Sequence, residues 1–263
     1  MKKLLVLLLS LLMVLPLAAC GNSGGATVQE GKLIMSTNAE FPPYEMTTTS
    51  AGVYTSSDGV HFEGIDVEIA LALADKLGLE LVIDDMDFDA ALIAVQQGKS
   101  DMVLAGLTYR EDRDEVMDFS TSYATGVQVV IVPDGSDIED LDALDGKMIG
   151  TQRGTTGYIY ASAPPEEDGY GEDHVLAYDN GALAVQALLN GQIDAVIIDN
   201  GPAQAYVSAN PGLHIVPGEW VVEDYCLAVK EGNSELLDQL NEALEELIAD
   251  GTVQNIIDKY ITE

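Results

Sequence analysis

Short apolar runs alternate with longer helical patterns along most of this chain. Lys32-Leu33-Ile34-Met35-Ser36 reads as a strand, and Leu79 to Ile83 as a second. Between them Asp66 is placed to cap a helix whose apolar positions Val67, Ile69, Ala70, Leu71, Leu73, Ala74 and Leu77 cover one broad face, with Gly78 as its stop. Asp87 or Asp89 caps a further helix through Gln97, and Met102 to Ala105 is a third strand. A second series follows: apolar segments at Gln128 to Val132, Met148 to Thr151 and Ala195 to Ile198, with a helical segment from Ala182 to Leu189. Tyr225 to Val229 gives one more strand. Ser234 then opens an amphipathic helix stopped at Asp250-Gly251, and Val253 to Tyr260 forms a last helix. Strands alternating with helices predict parallel pairing and right-handed crossovers, hence an α/β fold in two units. The polar stretch TTTSAGVYTSSDG, residues 47–59, reads as a surface loop or hairpin.

One frame occurs in both series. QGKSDMVLAG starts at Gln97 and NGQIDAVIID at Asn190, each with Gly-x-x-Asp ahead of an apolar strand. The second run ends on Asp199, the first on Gly106, Leu107 and Thr108. In open α/β sheets ligands gather beyond the carboxyl ends of the strands, so these two ends are expected to line a shared cleft.

Charge narrows the partner. With 11 Lys+Arg against 45 Asp+Glu the formal charge is −34, a field that repels phosphate backbones and anionic lipid headgroups. Nucleic acid is thereby a poor partner. The N-terminus carries an export pattern, Lys2 and Lys3 followed by LLVLLLSLLMVLPLAA, whose roughly 16 apolar residues fall short of the ~20 of a spanning helix. It closes on Leu17-Ala18-Ala19-Cys20, which resembles a bacterial lipobox and marks Cys20 for lipidation. Residues 1–19 are then a signal peptide, and residues 20–29 a lipidated flexible tether. Cys226, alone in YCLAV, has no disulfide partner and reads as a small buried hydrophobe.

Hydrolytic and metal signatures are missing. His61, His174 and His214 are scattered, no zinc or nucleophile-elbow spacing occurs, and the Asp-rich segment IDDMDFDAA lacks the glycine and distal Glu of a calcium loop. A small zwitterion fits better. Its carboxylate wants a planar, bidentate cation, and its ammonium a carboxylate. For the first task Arg113 lies close to the strand end at Thr108, with Arg110 and Arg153 as rivals; Arg113 pairing with its acidic neighbours on an exposed helix start is the plain alternative. Gly154-Thr155-Thr156-Gly157 offers backbone N–H groups to an anion, or is a simple turn. Asp199 suits an ammonium, or caps the segment that Pro202 follows.

The motifs NAEFPPYE (38–45), GIDVEIALALADKLG (64–78), AGLTYREDRDEVMDFS (105–120), GKMIGTQRGTTG (146–157) and GQIDAVIID (191–199), with the C-terminal ADGTVQNIIDKY, resemble the solute-binding proteins of bacterial polar amino acid ABC importers. The match covers essentially everything after the tether. The resemblance implies a two-lobed, periplasmic-binding-protein-like fold of type II: two α/β lobes joined by two hinge crossovers and closing on ligand. Residues 30–124 and a C-terminal return, 222–263, form lobe one, and 125–221 form lobe two. By matching position, Arg113 grips the ligand carboxylate with help from Thr156 and its neighbour Thr155. Ala105, Gly106 and Thr108 hold the backbone end of the ligand, Asp199 pairs with its ammonium, and Phe41 packs on its side chain.

Three positions depart from common family patterns. Ile65 stands where relatives often carry a second aromatic, and Asn38 and Gln152 are neutral where charge would favour a cationic ligand. This tilts the expectation towards glutamine-like ligands, with basic amino acids open because Glu45 and the acidic surface can compensate. The expected protein is thus a monomeric receptor without cofactor or metal. It is exported, anchored through lipid at the outer face of the cell membrane or periplasmic, and hands a polar amino acid to an ABC permease. The rival from another class is an enzyme on the same scaffold, such as a cyclohexadienyl-dehydratase-like lyase with Glu45 or Asp199 as acid or base. A sensory ectodomain is a third reading.

Overall fold

The structure, a computed structural model, describes residues 26–261. The signal segment and Cys20 lie outside the described residues. The last residues of the expected tether are not free: the Val28 amide donates to Asp101, and Asn233 Nδ2 donates to the Ala26 carbonyl at 3.0 Å.

Two sheets carry the fold. In the first, strand Lys32–Thr37 pairs in parallel with Glu80–Asp85 on one side and Met102–Val103 on the other. Ala228–Lys230 then inserts antiparallel between Met102–Val103 and Met117–Phe119. In the second, Ile149–Gln152 is parallel to Val175–Tyr178 and to Ala195–Asp199. Ala124–Pro133 runs antiparallel to Ala195–Asp199, Leu213–Ile215 and Val221–Tyr225. Each sheet is thus a parallel α/β core with antiparallel additions, in agreement with the two-unit α/β expectation. The chain passes between the sheets along Ala124–Pro133 and returns along Val221–Tyr225. These crossing strands pair with each other, Tyr225 opposite Ala124.

The expected strand from Tyr225 to Val229 is in fact two, Val221–Tyr225 and Ala228–Lys230, which belong to different sheets. An apolar run does not reveal a change of sheet, because both halves are buried. Residues 47–59 likewise contribute to a small antiparallel sheet of Glu40–Phe41, Glu45–Thr48, Tyr54–Thr55 and His61–Glu63.

The repeated Gly-x-x-Asp frame has the same local structure twice. Gly98 and Gly191 end the helices Phe88–Gln96 and Gly181–Leu189 with φ of 65° and 67°, the left-handed region that a side chain disfavours. Three residues later Asp101 accepts the Ile34 amide at 2.7 Å, and Asp194 accepts the Met148 amide at 2.8 Å. Each aspartate ties the loop before its own strand to the start of the neighbouring strand.

Helix Ile65–Leu77 packs against Ser234–Ala249 and Thr252–Tyr260, reinforced at the rim by Lys76 with Glu246 at 2.7 Å and by Lys259 with Glu68. Asp66 does not cap this helix; the N-cap position is Gly64. The Asp66 carboxylate instead accepts the Gly106 amide and the Tyr123 hydroxyl, both at 2.8 Å, so it is drawn under the strand end of the first sheet. Cys226 is buried and unpaired, and burial pushes its thiol up to about 12.

Candidate functional site

Four parallel strands deliver their carboxyl ends to one place. Asn38 and Phe41 follow Lys32–Thr37, and Ala105, Gly106 and Thr108 follow Met102–Val103. Gln152 ends Ile149–Gln152, and Asp199 ends Ala195–Asp199. These residues, with Arg113, Thr155 and Thr156, line a small cavity between the two sheets. Of the candidates from the sequence only Ile65 is not in its wall. It is the first residue of helix Ile65–Leu77 and fully buried.

Arg113 is buried, although it belongs to the short helix Glu111–Asp114 whose other members are acidic and exposed. Its guanidinium donates from Nη1 to the Thr108 carbonyl and from Nη2 to the Gly154 carbonyl, both at 2.9 Å. Loops of both sheets are therefore joined by one side chain, which also lies over the Phe88 ring at 5.7 Å. Burial, then the charge of Arg110, lowers its pKa to about 10. The rivals lie outside the cavity wall: Arg110 pairs with Asp112 at 2.8 Å and lies over the Tyr160 ring at 5.3 Å, and Arg153 is an exposed partner of Asp179 at 3.7 Å.

Asp199 occupies the N-cap position of helix Asn200–Ala209 but makes no side-chain cap bond. Its carboxylate is turned inward and accepts the hydroxyl of Tyr225, from the returning crossing strand. Burial pushes the Asp199 carboxyl up to about 7, with Glu223 adding to the rise and the Tyr225 hydrogen bond opposing it. A carboxylate held this way gains from any cation that enters the cavity.

At the loop after Gln152, Thr155 caps helix Thr156–Ser162 by accepting the Tyr158 amide at 3.3 Å. The Thr156 hydroxyl donates to Glu223 at 3.0 Å, and Gln128 Nε2 donates to the same carboxylate oxygen at 2.9 Å. The Thr156 side chain is thus committed within the second sheet, which leaves its backbone amide at the helix start for an anion.

Asn38 and Gln152, chosen from the sequence as neutral side-chain readers, are bonded to each other. Gln152 Nε2 donates to Asn38 Oδ1 at 2.9 Å, and Asn38 Nδ2 donates to the Met86 carbonyl at 3.0 Å. Sequence reasoning left two lining residues out. Phe88 passes for an ordinary helix-core residue. Glu45 enters the sequence reading as a compensation for a basic ligand and as an acid or base of the rival enzyme, not as a binding residue, yet it is fully buried in the cavity wall. Its place in PPYE, ahead of a polar stretch, gives no periodic sign of burial. Among the described residues no group of three His, Cys, Asp or Glu is arranged to hold a metal ion.

Comparison with known proteins places this geometry. The model of the bacterial extracellular solute-binding proteins, family 3, matches residues 33–263. The chain belongs to this family. It is 32% identical over 266 residues to the arginine-binding extracellular protein ArtP of Bacillus subtilis, covering 100% of this chain and 99% of that protein. It is 30% identical over 276 residues to the ABC transporter glutamine-binding protein GlnH of the same species, covering 100% and 98%. Among solved structures, an ancestral arginine-binding protein bound to arginine superposes with a TM-score of 0.77 at 39% identity, covering 88% of this chain and 98% of that one. The two-sheet architecture is accordingly the two-lobed fold of amino acid binding proteins, and this family member is an exported solute-binding protein of the kind that serves polar amino acid ABC importers.

Proposed function

We propose that this protein captures one polar amino acid between its lobes through both charged ends of the ligand backbone, and that Arg113 and Asp199 are the two anchors. The observation that carries the reading is their convergence on one cavity from different sheets, as the two charged ends of a zwitterion require. The Arg113 guanidinium and the Thr156 backbone amide take the α-carboxylate. Asp199 takes the α-ammonium, together with the hydroxyl of Thr108. Phe41, Asn38 and Gln152 border the ligand side chain. The relatives' ligands, arginine and glutamine, share this zwitterionic end and differ beyond it.

Lobe boundaries at about residues 124 and 222 fit this scheme, since the crossing strands Ala124–Pro133 and Val221–Tyr225 both begin near them. Closure then depends on both ends of one molecule, because each anchor sits on a different lobe. Delivery to a permease follows, with the protein held at the membrane by lipid on Cys20 and acting as a monomer without turnover. Titration calorimetry across the amino acids tests the anchors. Arg113→Ala is expected to abolish binding of every amino acid, and wild-type affinity in that variant would overturn the assignment. Incubation with a bound amino acid and mass spectrometry of the mixture separates a receptor from a lyase, which would release a new product.

A further inference from the structure

Arg113 and Arg110 both reach from the first lobe to the second, and only Arg113 lines the ligand cavity. Arg110 is the N-cap residue of the short helix Glu111–Asp114. Its guanidinium carbon lies 5.3 Å from the centre of the Tyr160 ring, on helix Thr156–Ser162. Tyr160 is outside the cavity wall as well.

The contact is supported from both sides. In the first lobe Arg110 Nε donates to Asp112 at 2.8 Å, which fixes the plane of the guanidinium. In the second, Trp220 stands edge-on to Tyr160 with 6.2 Å between ring centres, and Tyr170 packs on Trp220 at 5.8 Å. The Arg110 side chain keeps 18% of its exposure, against 61% for Asp112 and 53% for Arg153. A guanidinium tucked in this far is drawn to a ring face more strongly than one in open water, because less hydration competes. A surface pair with Asp112 alone would contribute little. Elsewhere on the rim Asn180 Nδ2 donates to the Glu40 carboxylate, and the Tyr206 hydroxyl to the Glu40 carbonyl at 3.1 Å. Those groups are exposed, so water replaces the lost partners when the lobes part.

We propose that Arg110 is the clasp of the shut cleft: its seat on Tyr160 sets how long a bound amino acid stays, and leaves the choice among amino acids to the cavity. The inference rests on the reading of the cleft as the place of capture between two lobes, but not on Arg113 and Asp199 being the anchors. A contact between lobes is broken when they separate, and the ligand leaves only after separation. Stabilising the shut form therefore slows release of every ligand by the same factor. Entry into the open cleft, where Arg110 and Tyr160 are apart, is unaffected.

Release of isotope-labelled L-arginine and L-glutamine, the ligands named for the relatives, is chased with unlabelled amino acid, and association is followed by stopped flow. Arg110→Gln removes the cation and Tyr160→Leu the ring. Each is expected to raise both release rates about tenfold, with association within about threefold and the ratio of the two affinities unchanged. Arg110→Lys, a cation without the planar group, should fall between Arg110→Gln and the wild type. The double variant should release no faster than the faster single one, because both remove one contact. Wild-type release in Arg110→Gln, effects that multiply in the double variant, or a changed ratio between the ligands would overturn the proposal. The Arg110 variants decide the matter even if Tyr160→Leu does not fold. Arg113→Ala in the same series keeps the two readings apart. Lost binding there, with wild-type release in Arg110→Gln, retains the anchors and removes the clasp; retained binding with fast release does the reverse.

Discussion

The hydroxyl of Tyr225 donates to the carboxylate of Asp199, joining the last residue of the returning crossing strand to the last residue of a strand that points into the cavity. Tyr225 is fully buried, stacks edge-on against Tyr44 at 5.0 Å between ring centres, and receives the Tyr123 amide on its own carbonyl at 2.9 Å. Tyr123 in turn donates to Asp66. Both passages between the lobes therefore carry a tyrosine that holds a buried acid under the ligand cavity.

Tyr225→Phe keeps the ring packing and removes the donor. Asp199 then has a less defined position and a still higher pKa, and amino acid affinity is expected to drop about tenfold at neutral pH, the usual worth of a hydrogen bond to a charged group. Calorimetry checks the loss. Binding that fell equally at pH 8 and pH 6 would point to a packing defect, whereas the geometry requires a larger deficit at pH 6.

Stability and affinity are expected to depend on pH with opposite signs. Asp199 rises from 3.8 to about 7 in the fold, and Asp66 from 3.8 to about 6, both through burial. The folded protein thus binds protons that the unfolded chain has released, so the stability these groups contribute is complete below 3.8 and is lost as pH rises through about 6 and 7. The ligand ammonium needs the ionised carboxylate, so affinity increases over the same window. Melting temperature without ligand and Kd, both measured from pH 5 to 8, check the crossing trends. Asp199→Asn should remove the part of both trends that lies near pH 7 and leave the Asp66 part of the stability trend near pH 6.

The Asn38–Gln152 bond crosses from one sheet to the other at 2.9 Å. Asn38→Ala and Gln152→Ala are each expected to weaken every ligand about fivefold, near 1 kcal/mol, by removing a contact that links the two sheets across the cavity. The double variant should be no weaker than the worse single one, because both remove the same bond. A change in the ranking of ligands rather than a uniform loss would contradict this role.

Gly106 has φ of +52°, and a Cβ built there would stand 2.6 Å from Cε1 of Phe41. Gly106→Ala therefore strains the backbone, by about 1–2 kcal/mol, and displaces the ring that borders the ligand. Denaturant melts should show the first effect. A rise in Kd of roughly tenfold or more should show the second.

Much of the architecture was legible because burial writes itself into local periodicity. Helix Ile65–Leu77 ends at Gly78 as its apolar face and glycine require, and the two Gly-x-x-Asp frames predicted the strands they precede. Arg113 and Asp199 could be proposed from residue type at a strand end, since the carboxyl ends of parallel strands are fixed by topology. The partners of those groups were not legible. Nothing local distinguishes Arg113 from Arg110 three residues before it, yet Arg113 is buried in the cavity wall with the Gly154 carbonyl, while Arg110 stays outside it with Asp112 and the Tyr160 ring.

By itself the sequence determined the alternation of strands and helices, the export pattern, the acidity, and which side chains were chemically fit to hold a zwitterion. The tertiary structure alone decided that Tyr225 belongs to Asp199, that Asn38 and Gln152 answer one another, and that Arg110 lies over Tyr160. Each is a contact between residues distant in sequence, and it depends on how the lobes meet. Local periodicity records which face of an element is buried, but carries no information about which distant group will be found there.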